Sequence, residues 1–490
     1  MSGMENKLLV VGLVAALAVC TAASADPPAR VGRLNLIQGS VSFKPGDMDE
    51  WTAATLNYPL TAGDSLWTGA FSRAEVHVGS TAIRLAAGTE SGFLELDDQA
   101  VRISLQQGLL NVRLRDLEPG ESLDIDTPTM NVSLVAAGSY RIEVGDSGDA
   151  RATVTEGRAE VAAGSQAYPI SEGQTAFVTE SDWPYVGIRE APAEDEWDQW
   201  CAARDNREDH LASVRYVPRT MVGCEDLDRY GSWSVSVEFG PVWTPTPKLL
   251  PVGWAPYRYG HWAWVRPWGW TWIDDLAWGF APFHYGRWAL VHGVWVWVPG
   301  SNAHRPVYAP ALVVFIEAGA VANGRIGWFP LGPGEAYAPP YTVSQAYLKR
   351  VNMTHVKIGD QEKLDVSRIQ YAHRDLPHAT TVVARQSFSR ARPVGDSRVA
   401  IADRELSQAR VIGTTTRVAP ERDGVPAAAA KKQREVARQK LIVHPEVRAP
   451  EPKAKTQKPQ ISQKRQKVLK KKRLAGGKWV WVEEWVSARE

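Results

Sequence analysis

Between His261 and Trp288 the chain concentrates residue types that recognise sugars. Trp262 and Trp264 are followed by Trp268, Trp270 and Trp272, then by Asp274-Asp275, Arg287 and Trp288. Alternate side chains of a strand share one face, so these spacings line up indoles on a single side. If that side is open it is an aromatic platform: flat rings stack on sugar faces while carboxylates accept hydrogen bonds from sugar hydroxyls. The same residues have a competing, structural use. A Trp buries about 150–250 Å², and cross-strand aromatic pairs stabilise a hairpin by roughly 0.2–1 kcal/mol each. Indoles at this density can therefore form a core instead. These nine residues are the candidate ligand-binding set, with envelope glycan as the expected ligand class.

Bond-breaking chemistry finds less support. A glycosidase needs two carboxyl groups flanking one bond, about 5–9.5 Å apart. Neighbours such as Asp274 and Asp275 diverge on a strand, so a partner such as Glu335 would have to come from elsewhere. There is no Gly-x-Ser-x-Gly elbow, and no phosphate loop or His-Glu-x-x-His. His261, His284, His292 and His304 are too irregularly spaced to claim a metal site. The chain reads as non-enzymatic, with no cofactor or metal; a cell-wall hydrolase is the chemical alternative.

Cysteine and charge set the surroundings. Lys7, the apolar run Leu8 to Val19 and Ala23-Ser24-Ala25 read as a cleavable export signal over residues 1–25, and the run is short for a membrane span. Cleavage leaves Cys201 and Cys224 in an oxidising compartment, where they are a candidate disulfide. Residues 421–477 hold 17 Lys/Arg against 5 Asp/Glu while the whole chain is only +1, so the remainder is acidic by 11. Lys464, Arg465, Lys470, Lys471, Lys472 and Arg473 are candidate anchors for anionic polymers or lipid headgroups. Export argues against nucleic acid as a partner.

The elements that must position these groups read as mainly β. From 31 to 180, short alternating runs such as Ala74-Glu75-Val76-His77-Val78 and Val101-Arg102-Ile103-Ser104-Leu105 are punctuated by turn glycines. That is the pattern of a sandwich or rolled sheet. Residues 190–228 suit a helical linker carrying Trp197, Trp200 and Leu211. Residues 229–352 carry Tyr-Gly-x-Trp three times, at Tyr230, Tyr259 and Tyr285, each followed after about ten residues by another Trp (Trp243, Trp272, Trp297) with a Gly between. A repeat of this kind is a repeated supersecondary unit, here three β-hairpins. Residues 353–420 are poorly patterned, and 421–475 form a basic, disordered arm. In 476–490, Trp479-Val480-Trp481-Val482 echoes Val294 to Val298, which suggests a terminal strand added to the edge of the Trp-rich sheet.

Two resemblances accompany this reading. Gly39-Ser40-Val41, the run Leu60 to Gly69, Gly88-Thr89-Glu90, Tyr140 to Val144 and Thr155 to Val161 resemble the FecR-type periplasmic domain. That resemblance implies a β domain outside the inner membrane that relays a signal to a sigma factor. Those regulators place one membrane span ahead of the domain, where this chain has a cleavable signal. Trp254 to Gly260, Trp278 to Trp288, Pro306 to Val313 and Gly327 to Pro333 resemble a tryptophan-rich domain of unknown function found behind FecR-type domains in exported bacterial proteins. The combined expectation is an exported, periplasmic or cell-surface binding or scaffolding protein. A FecR-like sensor is the first alternative and a cell-wall hydrolase the second.

Overall fold

The computed structural model describes residues 26–179, 186–317, 324–359, 369–376, 378–413 and 418–421, with the backbone of two further strands at 465–473 and 479–487. The chain divides into two units, 1–434 and 435–490. The expected export signal lies outside the described residues.

Seventeen strands between Gly32 and Glu190 build two layers that share one strand, antiparallel except where Ser122–Asp126 pairs parallel with it. The shared strand, Ala100–Leu114, pairs through residues 101–107 with Glu90–Leu96 and through 108–114 with Gly138–Val144. It changes layer at Gly108, whose φ is +93°. A Cβ there would stand 2.6 Å from the Thr89 backbone, so only glycine turns this corner. Alternation does the rest. Along Ala100–Leu114, Val101, Ile103, Leu105, Leu110, Val112 and Leu114 are buried between the layers, and the residues between them are not. The expected rolled β domain is thus present.

All three expected hairpins form. Gly231–Ser236 pairs with Gly240–Pro245, Gly260–Val265 with Gly269–Asp274, and Arg287–Val291 with Val294–Val298. Their registers set Trp233 opposite Trp243, Trp262 opposite Trp272, Trp264 opposite Trp270 and Trp288 opposite Trp297. The intervening Gly240, Gly269 and Gly293 all have positive φ, which is what a tight hairpin turn demands of its backbone. The first and third hairpins join through Trp243 and Trp297 into a four-stranded sheet, while the second stands apart.

The glycine inside Tyr-Gly-x-Trp has its own steric reason. A Cβ on Gly231 would lie 2.3 Å from the Trp243 ring, one on Gly260 2.7 Å from the Trp272 ring, and one on Gly286 2.4 Å from Trp297 Nε1. In each repeat the glycine is the bare patch of backbone over which the partner strand's indole lies. The motif is therefore half of a contact, and the Trp about ten residues later is the other half.

A third sheet was not visible as pattern. Val313–Glu317 and Arg325–Pro330 are flanked by Thr381–Ala384 and Arg410–Gly413. The stretch 353–420 therefore contributes strands and core residues (Val382, Val383, Phe388) to the same unit as the hairpins, and the expected boundary at 352 is not a boundary of the fold. These flanking strands are four residues long, and the first shows three consecutive buried residues rather than alternation, so a period of two had nothing to act on.

The linker forms a helix, Glu196–Asp209, with a capping box between Asp195 and Asp198. Far along the chain, Arg465–Arg473 pairs antiparallel with Trp479–Ser487. The terminal strand thus has a partner inside the basic arm, rather than the sheet edge expected for it. Most of the arm lies outside the described residues.

Candidate functional site

The indoles proposed as a platform are mostly core. Trp262, Trp268, Trp270, Trp272 and Trp288 are each buried, at 7% exposure or less. The alternation was right, since Trp262 and Trp264 oppose Trp272 and Trp270 on one hairpin face. What covers that face is the third sheet and its following helix: Trp262 meets Phe315, Trp328 and Phe388 with ring centroids 5.2–5.5 Å apart. Trp270 lies 4.6 Å from Phe388, and its Nε1 donates to the Val418 carbonyl. Trp268 sits in the turn before its strand and packs edge-on against Tyr308. Trp264 alone of these six indoles is open, 46% exposed at the turn end of the hairpin. An open glycan platform on these rings is therefore ruled out by their packing.

The buried polar members of the set, Asp274 and Arg287, are spent on structure as well. Asp274 accepts hydrogen bonds from Trp272 Nε1 (3.0 Å) and the Leu276 amide (3.0 Å); Asp275 is exposed beside it. Arg287 is buried and donates to the carbonyls of Glu335 (3.0 Å) and Gly286 (2.8 Å) and to Asn352 Oδ1 (3.3 Å). Burial pulls its guanidinium down to about 10. Glu335, the suggested second carboxylate, accepts from the amides of Gly332 and Ala372, both at 2.7 Å. Each of these buried groups has a partner that holds the fold, as buried polar groups require.

The densest polar cluster lies where the linker helix crosses the outer face of the roll. Glu75 accepts from Arg84 Nε (2.6 Å), from the guanidinium of Arg204 and from Asn35 Nδ2 (2.6 Å). His77 reaches Glu225 through Nδ1 at 3.0 Å and faces Glu75 and Glu208 through Nε2 at 3.4 and 3.6 Å. Arg115 bridges to Asp205 and Glu208, each at 3.2 Å. Arg33 pairs with Glu225 and Asp226, both at 2.6 Å, and donates to the Ala277 carbonyl at 2.7 Å. Asn57 donates to the carbonyls of Asp274 and Leu276. Through Arg33 and Asn57 the knot ties the roll to the second hairpin's exit loop.

Charge explains its composition. Six carboxylates (Glu75, Asp205, Glu208, Asp209, Glu225, Asp226) face four guanidiniums (Arg33, Arg84, Arg115, Arg204), so acid is in excess and a protonated His77 adds a fifth cation. Burial alone would lower the imidazole, but Glu225 and Glu208 outweigh it and raise it to about 10. Burial would raise Glu225, yet His77 and Arg33 hold it down at about 2. Glu75, His77 and Glu208 also bring three ligand-type atoms within 4.8 Å of one another. Both Glu75 oxygens already accept from guanidinium groups, so a cation would have to displace arginine there. The cluster is an ion-pair knot. Sequence reading passed over it because Glu75, His77 and Arg84 occupy the face that alternation assigns to water. The available signal was the linker, whose Asp205, Glu208 and Asp209 return to one helical face.

Cys201 and Cys224 do not form the expected bridge. Both are buried free thiols; burial pushes Cys201 up to about 12 and Cys224 well above its usual range. Each fills its own packing site as a small apolar residue. Of the proposed anchoring cations, Arg465, Lys470, Lys471, Lys472 and Arg473 lie on the strand paired with Trp479–Ser487; Lys464 lies outside the described residues. Among the described residues, no helix is long and apolar enough to cross a membrane.

A family model described as a family of unknown function, DUF6600, matches residues 224–335. The match runs from the knot at Cys224-Glu225 through all three hairpins to Glu335. No curated protein matches the chain in sequence. Two crystal structures of a candidate anti-sigma factor from Parabacteroides distasonis ATCC 8503 are similar over 26% and 28% of this chain, at 14% and 13% identity and TM-scores of 0.24 and 0.25. The chain spans 60% and 64% of the length of those structures.

Proposed function

We propose that this chain is a non-enzymatic scaffolding or binding protein of the cell envelope, exported by its N-terminal segment. The observation that supports this reading most is the fusion of the roll and the Trp-rich block into a single apolar cluster. That cluster runs from Val31 through Trp243, Trp262 and Trp328 to Phe388, sealed on one side by the Arg33–His77 knot. The buried carboxylates, imidazole and guanidiniums are engaged in holding that body together. Such a body suits presenting fixed surfaces to other envelope components. Trp262, Trp268, Trp270, Trp272 and Trp288 are buried and offer a glycan no open face.

The experiment is retention from a detergent extract of the envelope on the immobilised mature chain, paired with an activity gel on peptidoglycan. The reading expects specific envelope proteins to be retained and the gel to remain uncleared. A lytic band that follows the purified protein would overturn it in favour of a hydrolase.

A further inference from the structure

The terminal hairpin sorts its residues by face. Directly opposed residues of an antiparallel pair lie on the same face. The register sets Lys467 opposite Trp485, Lys471 opposite Trp481 and Arg473 opposite Trp479, with Arg465 and Leu469 on that same face. One face thus carries three Trp and four cations against a single carboxylate, Glu483. The other carries Val468, Val480, Val482 and Val486 with Lys470, Lys472, Gln466 and Glu484. Across both strands six cations meet two carboxylates.

We infer that this face docks the hairpin on a surface of anionic lipid headgroups. Two considerations select that occupant. First, indoles and basic side chains are the residues that the membrane–water interface takes up together, and each Lys or Arg near an anionic surface contributes about 1 kcal/mol. Second, the basic face itself carries four apolar residues, Leu469, Trp479, Trp481 and Trp485, while a two-stranded hairpin has no interior and is marginal alone in water. A polyanion such as nucleic acid supplies charge and stacking but no apolar layer for the three indoles to enter beside the cations; a bilayer interface supplies both. The interfacial insertion of apolar groups beside paired cations is a general mode of peripheral attachment. The inference draws on the envelope reading only for the source of the lipid.

The test is cosedimentation of the full-length mature chain with vesicles of phosphatidylcholine alone or with one-third phosphatidylglycerol, and with double-stranded DNA as a competing polyanion. Binding is expected to the anionic vesicles and to weaken with salt. Two variants remove the same charge from different faces. Lys467→Gln with Lys471→Gln should weaken binding about 25-fold, at about fivefold per cation. Lys470→Gln with Lys472→Gln should weaken it no more than about fivefold, because those positions sit across the hairpin at a distance comparable with the screening length. Trp479→Ser, Trp481→Ser and Trp485→Ser together should abolish vesicle binding with charge unchanged. Equal losses in the two lysine pairs would overturn the inference, as would tighter binding to DNA than to anionic vesicles. A lower melting temperature of the triple Trp variant without vesicles would overturn it too, by seating the hairpin on the protein's own body. Retention of envelope proteins with vesicle binding absent would sink this inference and leave the scaffolding reading standing.

Discussion

Two residue types carry most of the physics, glycine under indole and histidine among carboxylates. Gly260 is small because Trp272 lies against it. Gly260→Ala should therefore destabilise by about 2 kcal/mol and alter the near-UV circular dichroism of the indoles. Gly253→Ala, at a positive φ with open space around it, should cost about 1 kcal/mol and leave that spectrum alone. Matching spectra for the two variants would count against the seat. His77 gives a pH signature. Its pKa is raised from 6.5 to about 10, so its stabilisation is complete below about pH 6.5 and is lost as pH rises through 10. Glu225 is lowered from 4.5 to about 2, so its share is complete above about pH 4.5 and is lost as pH falls towards 2. Both contributions are therefore complete between about pH 4.5 and 6.5, and each is lost on its own side of that window. Breaking a buried pair by removing one partner costs on the order of 3 kcal/mol; His77→Gln should lose about that at pH 6 and show a flatter alkaline limb. An alkaline limb unchanged in the variant would contradict the assignment.

The hairpin is the element that the sequence announces most clearly. Tyr-Gly-x-Trp, a turn glycine and a second Trp specify strand, turn and cross-strand pair, and all three copies fold so. What spacing did not reveal is which side of the hairpin is covered. Alternation places Trp262, Trp264, Trp270 and Trp272 on one face, but it is blind to a lid arriving from Phe315, Trp328 and Phe388. Phe315 and Trp328 belong to short strands buried on both faces, whose apolar runs lack any period, and Phe388 to the short helix Arg385–Ser389. The knot was missed for the complementary reason: its charged residues look solvated until the linker helix lies over them. The energetic contrast within one hairpin is measurable. Trp272→Ala should cost about 3–5 kcal/mol, whereas Trp264→Ala, at the open end, should cost under about 1 kcal/mol. Urea midpoints that rank the two the other way round would refute the covered face.

At the scale of the whole molecule, the roll and the Trp-rich block share one apolar cluster and one ion knot, so they should lose structure together. Far-UV signals from the β layers and near-UV signals from the indoles are expected to melt in coincident transitions. Arg33→Met, which removes the guanidinium that joins Glu225, Asp226 and the Ala277 carbonyl, should separate them. Two resolved transitions in the parent protein would instead make the block an independent module. The most direct measurement is hydroxyl-radical footprinting of the native chain read by mass spectrometry. The account predicts oxidation at Trp264 and Trp51, which are 46% and 41% exposed, with Trp262, Trp268, Trp270, Trp272 and Trp288 protected until the protein unfolds. Comparable oxidation of those five in the native state would contradict it and return the indoles to the role of an open binding platform.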